Sequence, residues 1–172
     1  KYAYLMLRHS AQTLLAPQEY DLKDFIVSVD EDVRGSFAES VQTLQGLVFI
    51  LDDNIELAKQ QFQSVLEKTD NPMSKTSSQL YLLQVALMEG DNKKAEEYAS
   101  IRGIKSFLSI KTADMQVIQA WYQFKVKKDV VQTHKAMKIA RQKMNSSRML
   151  RDEKRYYQNW LAELEKELTE GV

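Results

Sequence analysis

The side chains that could do acid–base or metal chemistry are few and scattered in this chain. His9 and His134 are its two histidines, and 125 residues separate them (9 to 134). The acidic run 30–32 lacks the glycine and the spaced oxygen ligands of a calcium loop. The sequence contains no HExxH motif, glycine-rich phosphate loop or nucleophile elbow. We therefore expect no enzymatic activity, no catalytic residue, no metal site and no cofactor.

A basic stretch near the C-terminus could bind anions. Residues 125–155 hold eleven bases and three acids, a balance of +8, whereas residues 30–70 hold nine acids and three bases, a balance of −6. The predicted anion patch consists of Lys135, Lys138, Arg141, Arg148 and Arg151. Aromatic residues that follow at 156, 157 and 160 could stack on bases. The pattern keeps polyanion binding open, to nucleic acid or to an anionic membrane surface, but a solvated face is the favoured interpretation and nucleic acid is not an expected partner.

Length and composition are typical of a globular protein built from helices. The 172 residues are enough for one domain with a sizeable core, and the content of 44% apolar and 28% charged residues is ordinary. With 5 Gly and 2 Pro, the chain has little room for the many turns of an all-β fold. The absence of Cys excludes disulfides and thiolate metal sites. We predict an all-α protein.

The sequence gives little information on where the protein acts. Its longest apolar run, residues 47–51, is far shorter than the ~20 residues that cross a bilayer. The chain begins with Lys1 instead of Met, so we expect a fragment of a larger protein, whose missing part could carry a membrane anchor. A cytoplasmic location is the expected one, although localisation stays open. The excess of Lys over Arg, 17 to 7, suggests a bacterial source.

Apolar residues at three- and four-residue spacing predict about eight helices with short connections between them. The polar run 52–54 offers N-caps, because short polar side chains accept hydrogen bonds from the free amides of a first helical turn. Gly90 predicts a left-handed helix end, and Asp91 predicts the cap of the next helix. Ser146 or Ser147 is the predicted cap of the last helix.

A spaced pattern returns about once every 37 residues. In each instance two residues lie three apart, and a second pair, four apart, starts twelve residues after the first. The instances are Gly46-x-x-Phe49 with Ala58-x-x-x-Phe62, Leu83-x-x-Ala86 with Ala95-x-x-x-Ala99, and Trp121-x-x-Phe124 with Thr133-x-x-x-Met137. A helical unit with such a period stacks on its neighbours, because alone it cannot bury its apolar face.

The pattern resembles the tetratricopeptide repeat, whose unit is a pair of helices. Gly46, Phe49, Ala58 and Phe62 match the small, aromatic, alanine and aromatic positions of that repeat. The resemblance implies an all-α stack of antiparallel helix hairpins, a superhelix that forms one domain over residues 1–172. Its units would cover roughly 2–30, 39–70, 76–103 and 114–145, with a terminal capping helix at 147–169. A helical bundle without repeats is the alternative.

The resemblance also implies a partner groove, lined by the first helix of each unit. The groove positions fall on Thr43, Leu47, Ile50, Leu80, Gln84, Leu87, Ile118, Tyr122 and Lys125. Such a groove would bind a peptide or a helix of another protein. On sequence alone the same side chains could instead be core. We expect a non-enzymatic protein–protein interaction scaffold, with polyanion binding through 125–155 as the alternative and the oligomeric state open.

Overall fold

The computed structural model describes residues 7, 8, 11, 14–27, 36–146 and 149–170. In these ranges the chain forms nine α-helices, a 3-10 turn at Pro17–Glu19 and a π-helical turn at Gln123–Lys127, and it has no strand. The α-helices are α1 (Leu22–Val27), α2 (Ser36–Leu51), α3 (Ile55–Lys68), α4 (Pro72–Met88), α5 (Asn92–Ser100), α6 (Arg102–Leu108), α7 (Ala113–Tyr122), α8 (Val130–Ser146) and α9 (Arg151–Glu170). The predicted all-α fold class is confirmed.

The chain divides into two compact units. Unit 1 consists of Lys1–Val85 and Arg148–Glu153, and unit 2 consists of Ala86–Ser147 and Lys154–Val172. Packing of neighbouring helices occurs in both, between α2 and α3 in unit 1 and between α7 and α8 in unit 2. The prediction of one repeat domain over the whole chain stays a prediction.

In unit 1, the pairing of α2 with α3 depends on a glycine. A Cβ atom at Gly46 would overlap the ring of Phe62, so the absence of a side chain lets the two helices approach each other. Phe62 is fully buried, and its ring stacks on that of Tyr81 in α4 with 5.1 Å between the centroids. Two positions of the repeating pattern, one on each helix, are therefore in contact.

The helix ends in the middle of the chain follow the predicted turn chemistry in part. Gly90 has a φ of 72° and ends α4, and the Asp91 carboxylate accepts a hydrogen bond from the Lys94 N–H at 3.0 Å, so both predictions are confirmed. The run 52–54 does supply the N-cap residue of α3, which is Asn54, but the Asn54 side chain does not form the expected capping hydrogen bond. Asp53, before it, is left-handed with a φ of 57°.

A second part of unit 1 joins residues that are far apart in sequence. The Arg151 N–H donates to the Tyr20 carbonyl at 2.9 Å, and the Asp152 carboxylate accepts from the N–H groups of Leu22 at 2.9 Å and Lys23 at 3.3 Å. Asp152 thus caps the start of α1 across 130 positions of the chain. The predicted cap at Ser146 or Ser147 is wrong for Ser146, which belongs to α8, while Ser147 lies outside the described residues.

The centre of unit 2 is aromatic. Trp121 in α7 stacks on Trp160 in α9 with 5.4 Å between the ring centroids, and its indole N–H donates to the Trp160 carbonyl at 3.1 Å. Both side chains are buried. The short helices α5 and α6 pack on each other, α6 packs on α7, and α5 contacts the π turn that follows α7. These helices form the walls of the clefts described next.

Candidate functional site

The residues predicted to line a partner groove are mostly buried. Eight of the nine are in the interior, and they are Thr43, Leu47, Ile50, Leu80, Gln84, Leu87, Ile118 and Tyr122. Because side chains that are 9% exposed or less offer little surface to a partner, this burial favours the alternative that the sequence left open, in which these residues are core. The ninth, Lys125, is partly exposed, but it forms an ion pair with Glu167 and lies over the Trp121 and Phe124 rings.

Two arginines of the predicted anion patch already form ion pairs with carboxylates of the protein. Arg141 forms an ion pair with Glu165 at 2.6 Å, and the Arg151 Nε donates to Asp21 at 3.0 Å, a contact that raises the pKa of the Arg151 guanidinium. Lys135 and Lys138 are exposed on α8, and neither has an ion-pair partner in the described part of the chain. Arg148 lies outside that part, as do His9 and the acidic run 30–32.

The aromatic side chains near the basic stretch are largely committed to the core. Tyr157 is 1% exposed and Trp160 is 6% exposed, and the Tyr157 ring contacts both Tyr156 and Trp160. The Tyr157 and Trp160 rings therefore offer little free surface to a nucleic-acid base, while Tyr156 is half-buried. The predicted combination of cations with stacking aromatics is therefore not assembled at this part of unit 2.

Two adjoining clefts in unit 2 form the best candidate site, and we call them together the α7 furrow. The first has a volume of about 360 Å³. It is lined by Glu96, Ala99, Ser100, Lys105, Leu108, Ser109, Gln119, Tyr122 and Lys127. The second has a volume of about 140 Å³. It is lined by Leu108, Gln116, Gln119, Gln132, Lys135, Ala136 and Ile139. The clefts share Leu108 and Gln119, so they meet at these two side chains.

The spacing of residues on α7 places three polar side chains along the furrow. Gln116, Gln119 and Tyr122 follow each other at three-residue steps, so they lie on one face of the helix. The Gln116 side-chain amide donates to the Ile110 carbonyl at 3.0 Å. The Gln119 Oε1 atom is buried and has no hydrogen-bond partner among the residues that the structure describes. A buried acceptor without a donor costs about 1–3 kcal/mol, so this atom stands out in an otherwise satisfied helix.

A glutamate network occupies one end of the furrow. The Glu96 carboxylate accepts a hydrogen bond from the Tyr122 hydroxyl at 2.7 Å and another from the Lys127 ammonium at 2.7 Å. The bond from Lys127, and next the one from Tyr122, lowers the pKa of the Glu96 carboxyl. Burial, and next the bond to Glu96, raises the pKa of the Tyr122 hydroxyl, and the same carboxylate raises the pKa of Lys127. At neutral pH the network therefore holds one negative and one positive charge.

The π turn places Lys127 in this network. It continues α7 through Gln123–Lys127 with wider turns, and it ends at Lys128, which is left-handed with a φ of 55°. The Asp129 N–H closes the turn on the Gln123 carbonyl at 3.0 Å. A π turn is rare and is frequently found at functional sites, because it changes the direction in which the following side chains point. Lys127 lies 5.5 Å from the centroid of the Tyr122 ring.

The furrow carries an excess of positive charge. Its lining includes three lysines, Lys105, Lys127 and Lys135, and a single carboxylate, Glu96, which leaves a balance of +2. Lys127 is neutralised locally by Glu96. Lys105 and Lys135 are exposed, and no ion pair is found for either within the described residues. The two lysines without an ion pair therefore line different clefts, Lys105 the first and Lys135 the second.

The other types of site have little support. The described side chains include no group of three or more His, Asp or Glu residues that could hold a metal ion. His134 is exposed on α8. Among the described helices, each is too short or too polar to cross a bilayer.

The sequence predicted one furrow residue from the groove, Tyr122, and one from the anion patch, Lys135. It missed Glu96, Lys105 and Gln119. A signal was present in α7, where glutamines recur at three-residue steps in a helix whose other positions, apart from Asp114, are apolar or aromatic.

Comparison of the chain with protein-family models, with curated proteins and with solved structures gives no match. The resemblance to the tetratricopeptide repeat therefore stays a prediction that depends on the spaced residues.

Proposed function

We propose that this protein is a non-enzymatic interaction module, whose α7 furrow binds an extended segment of another protein. The proposal keeps the predicted role of a scaffold but moves the binding surface. The predicted groove residues are buried, whereas the furrow is open to solvent and is lined by side chains that form hydrogen bonds. A tetratricopeptide-like architecture would fit this role, since helical repeats commonly present elongated surfaces to partner segments.

The observation that carries the proposal is the buried Gln119 Oε1 atom at the junction of the two clefts. This atom needs a donor, and an extended peptide presents a backbone N–H at every non-proline residue. The Oε1 atom itself is buried, but the Gln119 residue is half-buried, so rotation of its side chain on binding would bring the oxygen to a peptide N–H and remove the cost of the unsatisfied acceptor. Leu108, which also lines both clefts, offers apolar contact at the same place.

Selection of ligands from a random-peptide display library on the immobilised protein tests the proposal. We expect enriched peptides to bind the Gln119→Leu variant about fivefold or more weakly, since one hydrogen bond is worth about 1 kcal/mol. Ser78→Ala is the matched control, because Ser78 Oγ is also buried without a partner but belongs to a residue with no exposed surface in unit 1. A library that yields no specific peptide, or peptides indifferent to Gln119, would contradict the proposal.

Polyanion binding is the second candidate, and it is favoured by Lys135 and Lys138. They lie three residues apart on α8, are exposed and lack ion-pair partners in the described ranges. Affinity for a single-stranded oligonucleotide that falls steeply with salt, and falls again in Lys138→Gln, would support this function. Binding that ignores Lys138 would count against it, because Lys138 does not line the α7 furrow.

A further inference from the structure

We infer that the segment bound in the α7 furrow is acidic, with one of its carboxylates paired to Lys105 and another to Lys135. This inference rests on the proposed function and adds the chemical class of the ligand. It follows from the distribution of charge over the two clefts, from the position of the unsatisfied acceptor between them and from the groups that already neutralise the neighbouring cations.

The furrow favours negative charge because two of its lysines form no ion pair within the described part of the protein. One of them, Lys105, still acts at a distance on the Glu96 carboxyl, whose pKa its charge helps to lower. Lys105 lines the first cleft and Lys135 lines the second, while Gln119 lines both. An extended segment that places an N–H at Gln119 would therefore have a cation available in each direction. Of the neighbouring cations, Lys127 is already paired with Glu96 and Arg141 with Glu165.

The pattern of charges favours an acidic peptide over a nucleic acid. A phosphodiester backbone has only acceptors, so it cannot satisfy the Gln119 oxygen, whereas a peptide backbone supplies donors. The Glu96 carboxylate is part of the first cleft and would repel a continuous row of phosphates. Tyr122, the one aromatic side chain in the lining, is only 7% exposed and offers little surface on which a base could stack.

Glu96 limits the positive charge that the ligand meets. Its carboxylate holds Lys127 at 2.7 Å, so Lys127 is not available to a ligand while Glu96 is ionised. Replacement by the neutral isostere in Glu96→Gln would release the Lys127 charge and would raise the balance of the furrow from +2 to +3. An acidic ligand should then bind about two- to fivefold more tightly, as expected for one additional exposed ion pair. This gain separates an electrostatic role of Glu96 from a merely structural one.

The test measures fluorescence anisotropy of two labelled peptides, one of alternating Asp and Ala residues and one of alternating Asn and Ala residues. We expect the Asp peptide to bind about fivefold more tightly at low salt, from two exposed ion pairs, and the preference to shrink at high salt. Lys105→Gln and Lys135→Gln should each weaken binding of the Asp peptide about two- to threefold. Lys138→Gln, an exposed lysine of α8 outside the furrow, is the matched control and should bind like the parent protein.

The outcomes separate the inference from the function on which it rests. Equal binding of the Asp and Asn peptides, or no binding of either, overturns the acidic ligand. The proposed function survives that result if library-selected peptides still depend on Gln119. An oligothymidylate that binds more tightly than the Asp peptide, with sensitivity to Lys138→Gln, overturns the inference in favour of a polyanion. Weaker binding of the Asp peptide in Lys105→Gln and in Lys135→Gln, together with tighter binding in Glu96→Gln, supports it.

Discussion

Asp152 in unit 1 and Glu96 in unit 2 are carboxylates that accept hydrogen bonds from different kinds of donor, backbone N–H groups for Asp152 and side chains for Glu96. Asp152 is 3% exposed and accepts from the backbone N–H groups of Leu22 and Lys23. Glu96 has 43% of its side chain exposed and accepts from the side chains of a tyrosine and a lysine. Backbone donors move only if the start of a helix comes apart, whereas side-chain donors can rotate towards a ligand.

Two buried side-chain atoms of the described residues lack a hydrogen-bond partner, one in each unit, and they repeat the contrast between the units. Ser78 Oγ in unit 1 belongs to a residue with no exposed surface, so no ligand can reach it. Gln119 Oε1 in unit 2 belongs to a residue that lines two clefts. The first is a cost of folding alone, and the second is a cost that binding can remove. Polar groups of unit 1 thus organise the fold, and those of the furrow are suited to exchange their partners.

The largest expected effect is the loss of stability when the two hydrogen bonds that Asp152 accepts at the start of α1 are removed. Asp152→Ala removes the acceptor of two N–H groups at the start of α1, and we expect it to lower the free energy of unfolding by about 2–4 kcal/mol. Urea denaturation followed by circular dichroism measures the loss. Asp70→Ala is the control, because Asp70 is fully exposed, and its effect should stay within about 0.5 kcal/mol. Equal stability of the two variants would remove the contrast between a structural and an exchangeable carboxylate.

The next effect concerns the close approach of α2 and α3. Gly46→Ala places a methyl group against the fully buried Phe62 ring, and overpacking of this kind costs about 1–3 kcal/mol. The better helix propensity of Ala offsets about 1 kcal/mol of that cost. We therefore expect a small net loss in thermal stability. Phe62→Leu in the same chain should make Gly46→Ala less harmful, and strict additivity of the two changes would show that they do not touch.

The contacts of Gly46 and of Asp152 differ in how far the sequence can predict them. Gly46 and Phe62 are matched by a spaced pattern, and Gly90 with Asp91 by local turn chemistry, because each depends on neighbours at a fixed separation. The hydrogen bond between Leu22 and Asp152 spans 130 positions, so no periodicity indicates it. Apolar spacing also does not distinguish a core from a groove. Leu47 and Ile118 fit the groove positions of the repeat in sequence, but they are buried in the structure.

The furrow was harder to predict than the helices. It needs the π turn that directs Lys127 towards Glu96, and a π turn has no reliable sequence signal. It also needs α5 and α6 to leave a space beside α7, which depends on tertiary packing. The sequence shows only the three-residue step of Gln116, Gln119 and Tyr122. It does not show that the Gln119 oxygen is buried without a donor in the described residues.

A smaller effect compares the two unsatisfied atoms directly. Ser78→Ala and Gln119→Leu each replace a buried acceptor without a partner by an apolar group, so each should raise the free energy of unfolding by about 1 kcal/mol. Only Gln119→Leu should weaken the binding of a library-selected peptide. Thermal unfolding and anisotropy on the same samples measure both quantities. If Gln119→Leu lowers stability instead, its oxygen has a partner in solution, and the furrow loses its binding determinant.

The smallest effect is the titration of Glu96. Its pKa is lowered first by Lys127 and then by Tyr122, so its contribution to stability is complete above the ordinary carboxyl pKa of about 4.3 and is lost as pH falls through the lower value of the folded state. Carboxyl carbon NMR of the isotopically labelled protein measures that pKa. Lys127→Met should raise it more than Tyr122→Phe does, because the lysine supplies the larger share. Since the side chain is 43% exposed, solvent weakens the accompanying change in stability, and thermal unfolding should move far less than in Asp152→Ala. An unshifted Glu96 pKa would mean that Lys127 is already free for a ligand, and Glu96→Gln would then bring only the gain from removing one negative charge.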